Sequence, residues 1–164
     1  MNKIKIARIL SFLFVLFVVG FSVHHITIIK YERDYRDEYV GYLIAKLETL
    51  QDEMNETLTH NTRSHLNGIS LSTASLSGSH FTVSKRLLDA VDPDGGFGIL
   101  ARAFADMSKG NGDLSEPEIE YISRVIHITD SLLTDLKARE NFDAESLYLL
   151  LIHFHRDIRD VDLP

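Results

Sequence analysis

The sequence predicts an all-α protein: a single N-terminal transmembrane helix followed by an antiparallel helical bundle of about four main helices plus one short helix. Three observations carry that expectation. Residues 9–29, ILSFLFVLFVVGFSVHHITII, contain no charged residue apart from any proton on His24 or His25. Four later stretches place apolar residues at alternating spacings of three and four. One of those stretches opens on a helix-capping signature, Ser115-Glu116-Pro117-Glu118.

The first run decides the N-terminal half. About 20 mostly apolar residues in a helix, at about 1.5 Å rise each, cross a hydrocarbon core of about 30 Å. A removable signal peptide is the competing reading. Lys3, Lys5 and Arg8 make a basic leader, and Gly20-Phe21-Ser22 offers small residues before a cut at Val23. Apolar character resumes past that point at Ile26, Ile28 and Ile29, whereas a cleaved signal ends in a polar region. We therefore expect residues 9–29 to be retained as a membrane anchor in contact with lipid. Basic residues tie across the span: Lys3, Lys5 and Arg8 before it, Lys30, Arg33 and Arg36 after it. The signal-like leader favours residues 1–8 as a short cytoplasmic tail and residues 30–164 as an extracytoplasmic helical-bundle domain at the cell membrane. His24 and His25 fit an interfacial pair with wet tips.

Composition bounds the rest. All 24 acids lie after residue 30, against 13 Lys and Arg there, so that part is 11 charges negative. Such a surface repels nucleic acid and anionic lipid. There is no cysteine, which excludes disulfides, thiol nucleophiles and thiolate metal sites within the chain.

The elements follow in order. Val40, Leu43, Leu47, Leu50 and Met54 form the first seam, on a helix running straight out of the span. No proline interrupts it, and Gly41 alone costs about 1 kcal/mol relative to Ala. Tyr31, Tyr35 and Tyr39 fall four apart, as in an aromatic belt. Leu66, Ile69, Thr73, Leu76, His80, Val83 and Leu87 form the second seam. Its many Ser and Thr residues make it a poor helix former, held by packing. Asp92-Pro93-Asp94-Gly95-Gly96 is a turn. A short helix follows, with Phe97, Leu100, Ala101 and Phe104 on one face, and Gly110-Asn111-Gly112 ends it. The third seam is Ile119, Ile122, Ile126, Thr129, Leu133 and Leu136. The fourth is Leu147, Leu150 and Phe154, continued by Ile158 and Val161, with Asp143 as N-cap. Each seam is one side of a helix, the side that packs in a bundle.

Ser115 and Glu118 make a capping box: the hydroxyl accepts from the amide of residue 118 and the carboxylate reaches back to the amide of residue 115. Pro117 fits the first turn. Replacing Ser115 by Ala should cost about 1 kcal/mol, read from thermal melts.

Chemistry is sparse. Aligning Gly112 with the invariant glycine of an EF-hand puts Glu118 at position twelve, but Met107 and Lys109 then occupy the first two ligand positions, which abolishes ordinary calcium affinity. His153 and His155 point apart on a helix. His153 and Asp157 share a face, but two ligands make no site. His60, His65 and His80 suit structural roles. No nucleophile elbow, phosphate loop or dinucleotide fingerprint occurs. We expect no catalytic, cofactor or metal site.

The order of features over residues 5–137 resembles the N-terminal region of YpeB-type spore-germination proteins: basic tail, one span, long helix, Ser-containing helix, turn, and an L-S-x-x-E-like helix start matched by Leu114-Ser115-Glu116-Pro117-Glu118. This chain departs in having no tryptophan and no C-terminal domains after these helices. The resemblance implies an extracytoplasmic partner-binding bundle. The expected function is a non-enzymatic interaction or scaffold module in the cell envelope, binding another membrane or envelope protein or self-associating. The alternatives are a ligand-sensing bundle working with a separate output subunit, and a phage-type membrane factor.

Overall fold

A computed structural model describes the backbone of residues 3–88, 95–139 and 143–164, with side chains at 11–31, 33–78, 95–139, 143 and 145–164. It contains five helices and, among the described residues, no strand: α1 (Lys3–His60), α2 (Leu66–Leu88), α3 (Gly96–Met107), α4 (Glu116–Lys137) and α5 (Ala144–Arg159). Inter-helix contacts fit a bundle. The chain divides into two compact units between Glu38 and Tyr39.

The first unit holds the apolar part of α1 and the charged stretch that follows it up to Glu38. Every residue from 11 to 31 is exposed, including Phe12, Phe14, Phe17 and Phe21. Phe17, Phe21 and His25 follow one another along a face, each stacked on the next at 6.2 Å. Among the described residues, α1 is the one helix long and apolar enough to cross a membrane, judged by length and composition.

The second unit holds the core. From α1 it takes Tyr39, Leu43, Leu47, Leu50, Met54 and Thr57. Tyr42 Oη lies 3.3 Å from Ser75 Oγ on α2, and Lys137 Nζ on α4 lies 2.6 Å from Glu48 Oε1. These contacts tie the C-terminal half of α1 to two other helices. The turn between α1 and α2 is five residues long, as antiparallel neighbours require. Asn61 begins it at φ +47°. Asparagine is the side-chain-bearing residue that best tolerates this left-handed position after a helix.

The Ser- and Thr-rich second stretch is helical because its neighbours hold it. Leu66, Ile69, Ser70, Thr73 and Leu76 are buried, and Ser70 Oγ donates to the Ala101 carbonyl of α3 at 2.8 Å. The buried threonines at the seams satisfy their own hydroxyls: Thr73 and Thr129 donate to the Ile69 and Val125 carbonyls at 2.9 Å, one turn back. A seam therefore accepts threonine without leaving an orphan donor. The side chains of His80, Val83 and Leu87, expected on this seam, lie outside the described residues, as do Asp92, Pro93 and Asp94 of the expected turn.

Helix α3 buries Phe97, Leu100, Ala103, Phe104 and Met107. It packs on α2 and on α5. The approach to α5 is close at Gly96, where a Cβ would sit 3.1 Å from the His155 Cα. Helix α5 also packs on α4. It buries Leu147, Leu151, Phe154, His155 and Ile158. Asp143 caps it, accepting from the Ser146 amide at 2.6 Å.

Two of the seam expectations on α4 need correction. Its buried stripe is Tyr121, Ile122, Val125, Thr129, Leu132, Leu133 and Leu136. Ile119 is 38% exposed and Ile126 is only half-buried. The stripe is wider than a strict three-four repeat and is centred toward Val125 and Leu132, which turns Ile119 and Ile126 to its edge. On α5, likewise, Leu151 takes the buried place expected for Leu150, which is half-buried. On α1 Val40 is half-buried and Tyr39 takes the core place beside it, while the seam residues Leu43, Leu47, Leu50, Ile122, Leu133 and Leu136 are buried.

Candidate functional site

The most connected polar site of the second unit is built on Arg63, in the α1–α2 turn. Its guanidinium forks onto the Glu118 carboxylate, with Nη1 to Oε1 and Nη2 to Oε2 both at 2.6 Å. The same nitrogens donate to the Met107 carbonyl at the end of α3 and to the Asp113 carbonyl in the α3–α4 loop. Beside it, Asn61 Oδ1 accepts from the Leu114 amide at 3.1 Å. One turn thus fastens the end of α1 to the end of α3 and the start of α4.

Ser115 and Glu118 complete the cluster as the capping box of α4. Glu118 Oε2 accepts from the Ser115 amide and from its hydroxyl, each at 2.7 Å. The carboxylate therefore answers four donors, two from Arg63 and two from Ser115. Hydrogen bonding from Arg63, reinforced by Ser115 and by the guanidinium charge, holds its pKa down to about 2 against the cost of burial. The Glu118 hydrogen bond likewise raises the Arg63 pKa. A carboxylate that acidic and a permanently charged guanidinium are poorly matched to proton transfer near neutral pH. The carboxylate that an EF-hand would offer at position twelve is committed to arginine.

Arg63 left no signal in the sequence. It is a single cation in the polar turn after His60, with no periodic or motif relation to a glutamate 55 positions away. Gly110 is the clue that only the fold supplies: a Cβ there would lie 2.6 Å from the Arg63 guanidinium carbon. Because Arg63 is pinned by several acceptors, it cannot swing aside at low cost. Gly110→Ala is expected to lower the melting temperature by several degrees, about 1–2 kcal/mol.

A cleft of about 570 Å³ lies next to this cluster. Ile99, Ala103, Met107, Val161 and Leu163 give it an apolar floor, and Arg102, Asp106, Glu118 and Arg159 give it charged edges. Both acids already pair with cations, Glu118 with Arg63 and Asp106 with Lys109 at 2.6 Å.

The histidines are dispersed. His24 and His25 are exposed on the first unit, His60 and His153 are exposed on the second, and His155 is buried between the rings of Phe97 and Phe154. His65 lies 4.0 Å from Glu56. No cluster of three or more metal-ligating side chains occurs among the described residues.

Tyr121 is the most deeply buried of the tyrosines among the described residues. It is 2% exposed, meets Phe104 edge-on at 6.1 Å, and its hydroxyl has no hydrogen-bond partner among the described residues. Burial pushes its pKa up to about 12. A buried hydroxyl without a partner gives up hydration for nothing in return. Tyr121→Phe is thus expected to leave the melting temperature unchanged or raise it, by up to about 1 kcal/mol.

No protein-family model matches the chain, and neither the curated proteins nor the solved structures yield a match.

Proposed function

We propose that this chain is a single-pass, signal-anchored membrane protein whose acidic helical bundle serves as a non-enzymatic interaction module in the cell envelope. One observation carries the anchor: large apolar side chains cover every side of α1 from residue 11 to residue 29, with Phe14 and Phe17 each 69% exposed. Water penalises such a surface by about 25 cal/mol per Å² of apolar area, and a bilayer removes that penalty. The interaction role is supported by how the polar groups are spent. The strongest charged cluster, Arg63 with Glu118, clamps helices together, and the bundle still shows Leu71, Leu149, Ile152 and Leu163 to solvent.

The orientation we propose places the N-terminus in the cytoplasm and residues 30–164 outside, where the partner is another membrane or envelope protein. Photo-crosslinking from the exposed positions Leu71, Leu149 and Leu163 in the full-length protein, expressed in its own cells, tests this. The expected result is a discrete crosslinked species that contains a second, different protein, from at least one position. Absence of any crosslinked band from all three contradicts the reading.

The 570 Å³ cleft favours ligand sensing as a second reading, because its size falls within the range of small-molecule sites. A thermal-shift screen separates the two. A small molecule that raises the melting temperature in a concentration-dependent way, and loses that effect on Met107→Trp, would make sensing the better account.

A further inference from the structure

On the solvent side of α5, Glu145, Leu149, Ile152 and Arg156 stand at spacings of four, three and four, which places all four within about 60° of arc on one helix face. All four are exposed; Leu149 is 48% and Ile152 37% exposed. The opposite face carries Leu147, Leu151, Phe154 and Ile158 into the core. The stripe thus has an acid at one end, two large aliphatics in the middle and a base at the other end. It is symmetric about the midpoint between Leu150 and Leu151.

We propose that this stripe pairs with the same stripe of a second copy of the chain, α5 against α5, antiparallel about a two-fold axis through that midpoint. In this register Glu145 of each copy faces Arg156 of the other, and Leu149 faces Ile152. Both charge pairs are attractive, both apolar pairs leave water, and the two helix dipoles run in opposite senses. The palindromic order is what singles out a second copy: an unrelated partner needs no such symmetry in this chain. Among the described residues Arg156 meets its neighbour Asp157 by two long contacts, at 3.3 and 3.4 Å between two exposed side chains, so it can turn to the partner's acid. One helix face per copy falls below the about 1,200 Å² of a standard stable interface. The dimer is therefore a weak one, with a Kd of roughly micromolar order, and confinement of both copies to one surface would raise its occupancy. The pairing stands whether or not residues 9–29 lie in lipid.

Sedimentation equilibrium of the full-length chain in density-matched detergent tests it. Wild type is expected to show a reversible monomer–dimer equilibrium. Glu145→Arg alone and Arg156→Glu alone each turn two attractive pairs into two repulsive ones and should weaken the dimer about tenfold. An equimolar mixture of the two variants restores opposite charges at both pairs, and should recover wild-type affinity. The chain has no cysteine, so mixing Leu149→Cys with Ile152→Cys gives an independent readout, a disulfide between the two variants under mild oxidation. A wild-type protein that stays monomeric into the hundreds of micromolar overturns the proposal. So does a dimer indifferent to the single reversals, which places the contact on α1 or elsewhere, or a mixture that does not recover.

Discussion

Leu133→Asp is expected to unfold the bundle. Leu133 is 6% exposed, on the buried stripe of α4 with Val125, Thr129, Leu132 and Leu136. A carboxylate there replaces an apolar side chain among apolar neighbours, and either ionises in that setting or folds only in its protonated form. The cost exceeds about 4 kcal/mol, a large part of the about 5–15 kcal/mol that holds a domain of this size together. The expected record is loss of the cooperative far-ultraviolet melt of the second unit at neutral pH. Ile126→Asp is the control on the same helix. Ile126 is half-buried, its new carboxylate can reach water, and the loss should be about 1–2 kcal/mol. Equal effects at the two positions would mean that the buried stripe of α4 is centred elsewhere.

Breaking the Arg63–Glu118 pair is expected to have the second largest effect. Their side chains are 14% and 12% exposed, so neither charge is fully hydrated. Arg63→Met leaves Glu118 with its two Ser115 donors, removes the Arg63 bond to the Asp113 carbonyl, and leaves the Met107 carbonyl with the Gly110 amide. Removing one partner of a mostly buried pair costs about 3 kcal/mol. Glu118→Gln should cost a similar amount. The double variant should cost less than the sum, and that shortfall measures the coupling.

The same pair makes stability depend on acid. Glu118 has a folded pKa of about 2 against an ordinary 4.5, so the unfolded chain takes up its proton first. Its contribution, about 3 kcal/mol, is complete above pH about 4.5 and is lost progressively as pH falls toward about 2. Urea midpoints measured across that window should fall for wild type and fall much less for Glu118→Gln. Parallel declines would show that other carboxylates govern the acid limb.

The sequence made the helices legible because their signals are local. The apolar run at 9–29, the three-four seams and the Ser115–Glu118 box each depend on residues within a turn or two of one another. Even the hydroxyl-rich α2 could be placed, since Leu66, Ile69 and Leu76 keep helical spacing among the serines. What sequence could not supply was the rotation of each seam and the long-range ties. Ile119 and Ile126 share the periodicity of Ile122 but sit at the stripe's edge, a matter of how α4 leans on its neighbours. Arg63 meets Glu118 across 55 positions, and no local pattern marks such a contact. Glu118 was visible as a cap. Its role as the anchor for another turn was not.

In the proposed topology residues 9–29 hold the chain in lipid while residues 30–164 lie outside the cytoplasm as a helical bundle. Labelling of intact cells with a membrane-impermeant maleimide, on a variant with its only cysteine introduced at the exposed Thr134, tests both halves at once when followed by alkaline extraction of the membranes. Thr134→Cys is expected to be labelled without lysis, and the labelled, full-length chain to stay in the membrane pellet. Labelling only after lysis would reverse the orientation, and release of the chain into the alkaline supernatant would contradict the anchor itself.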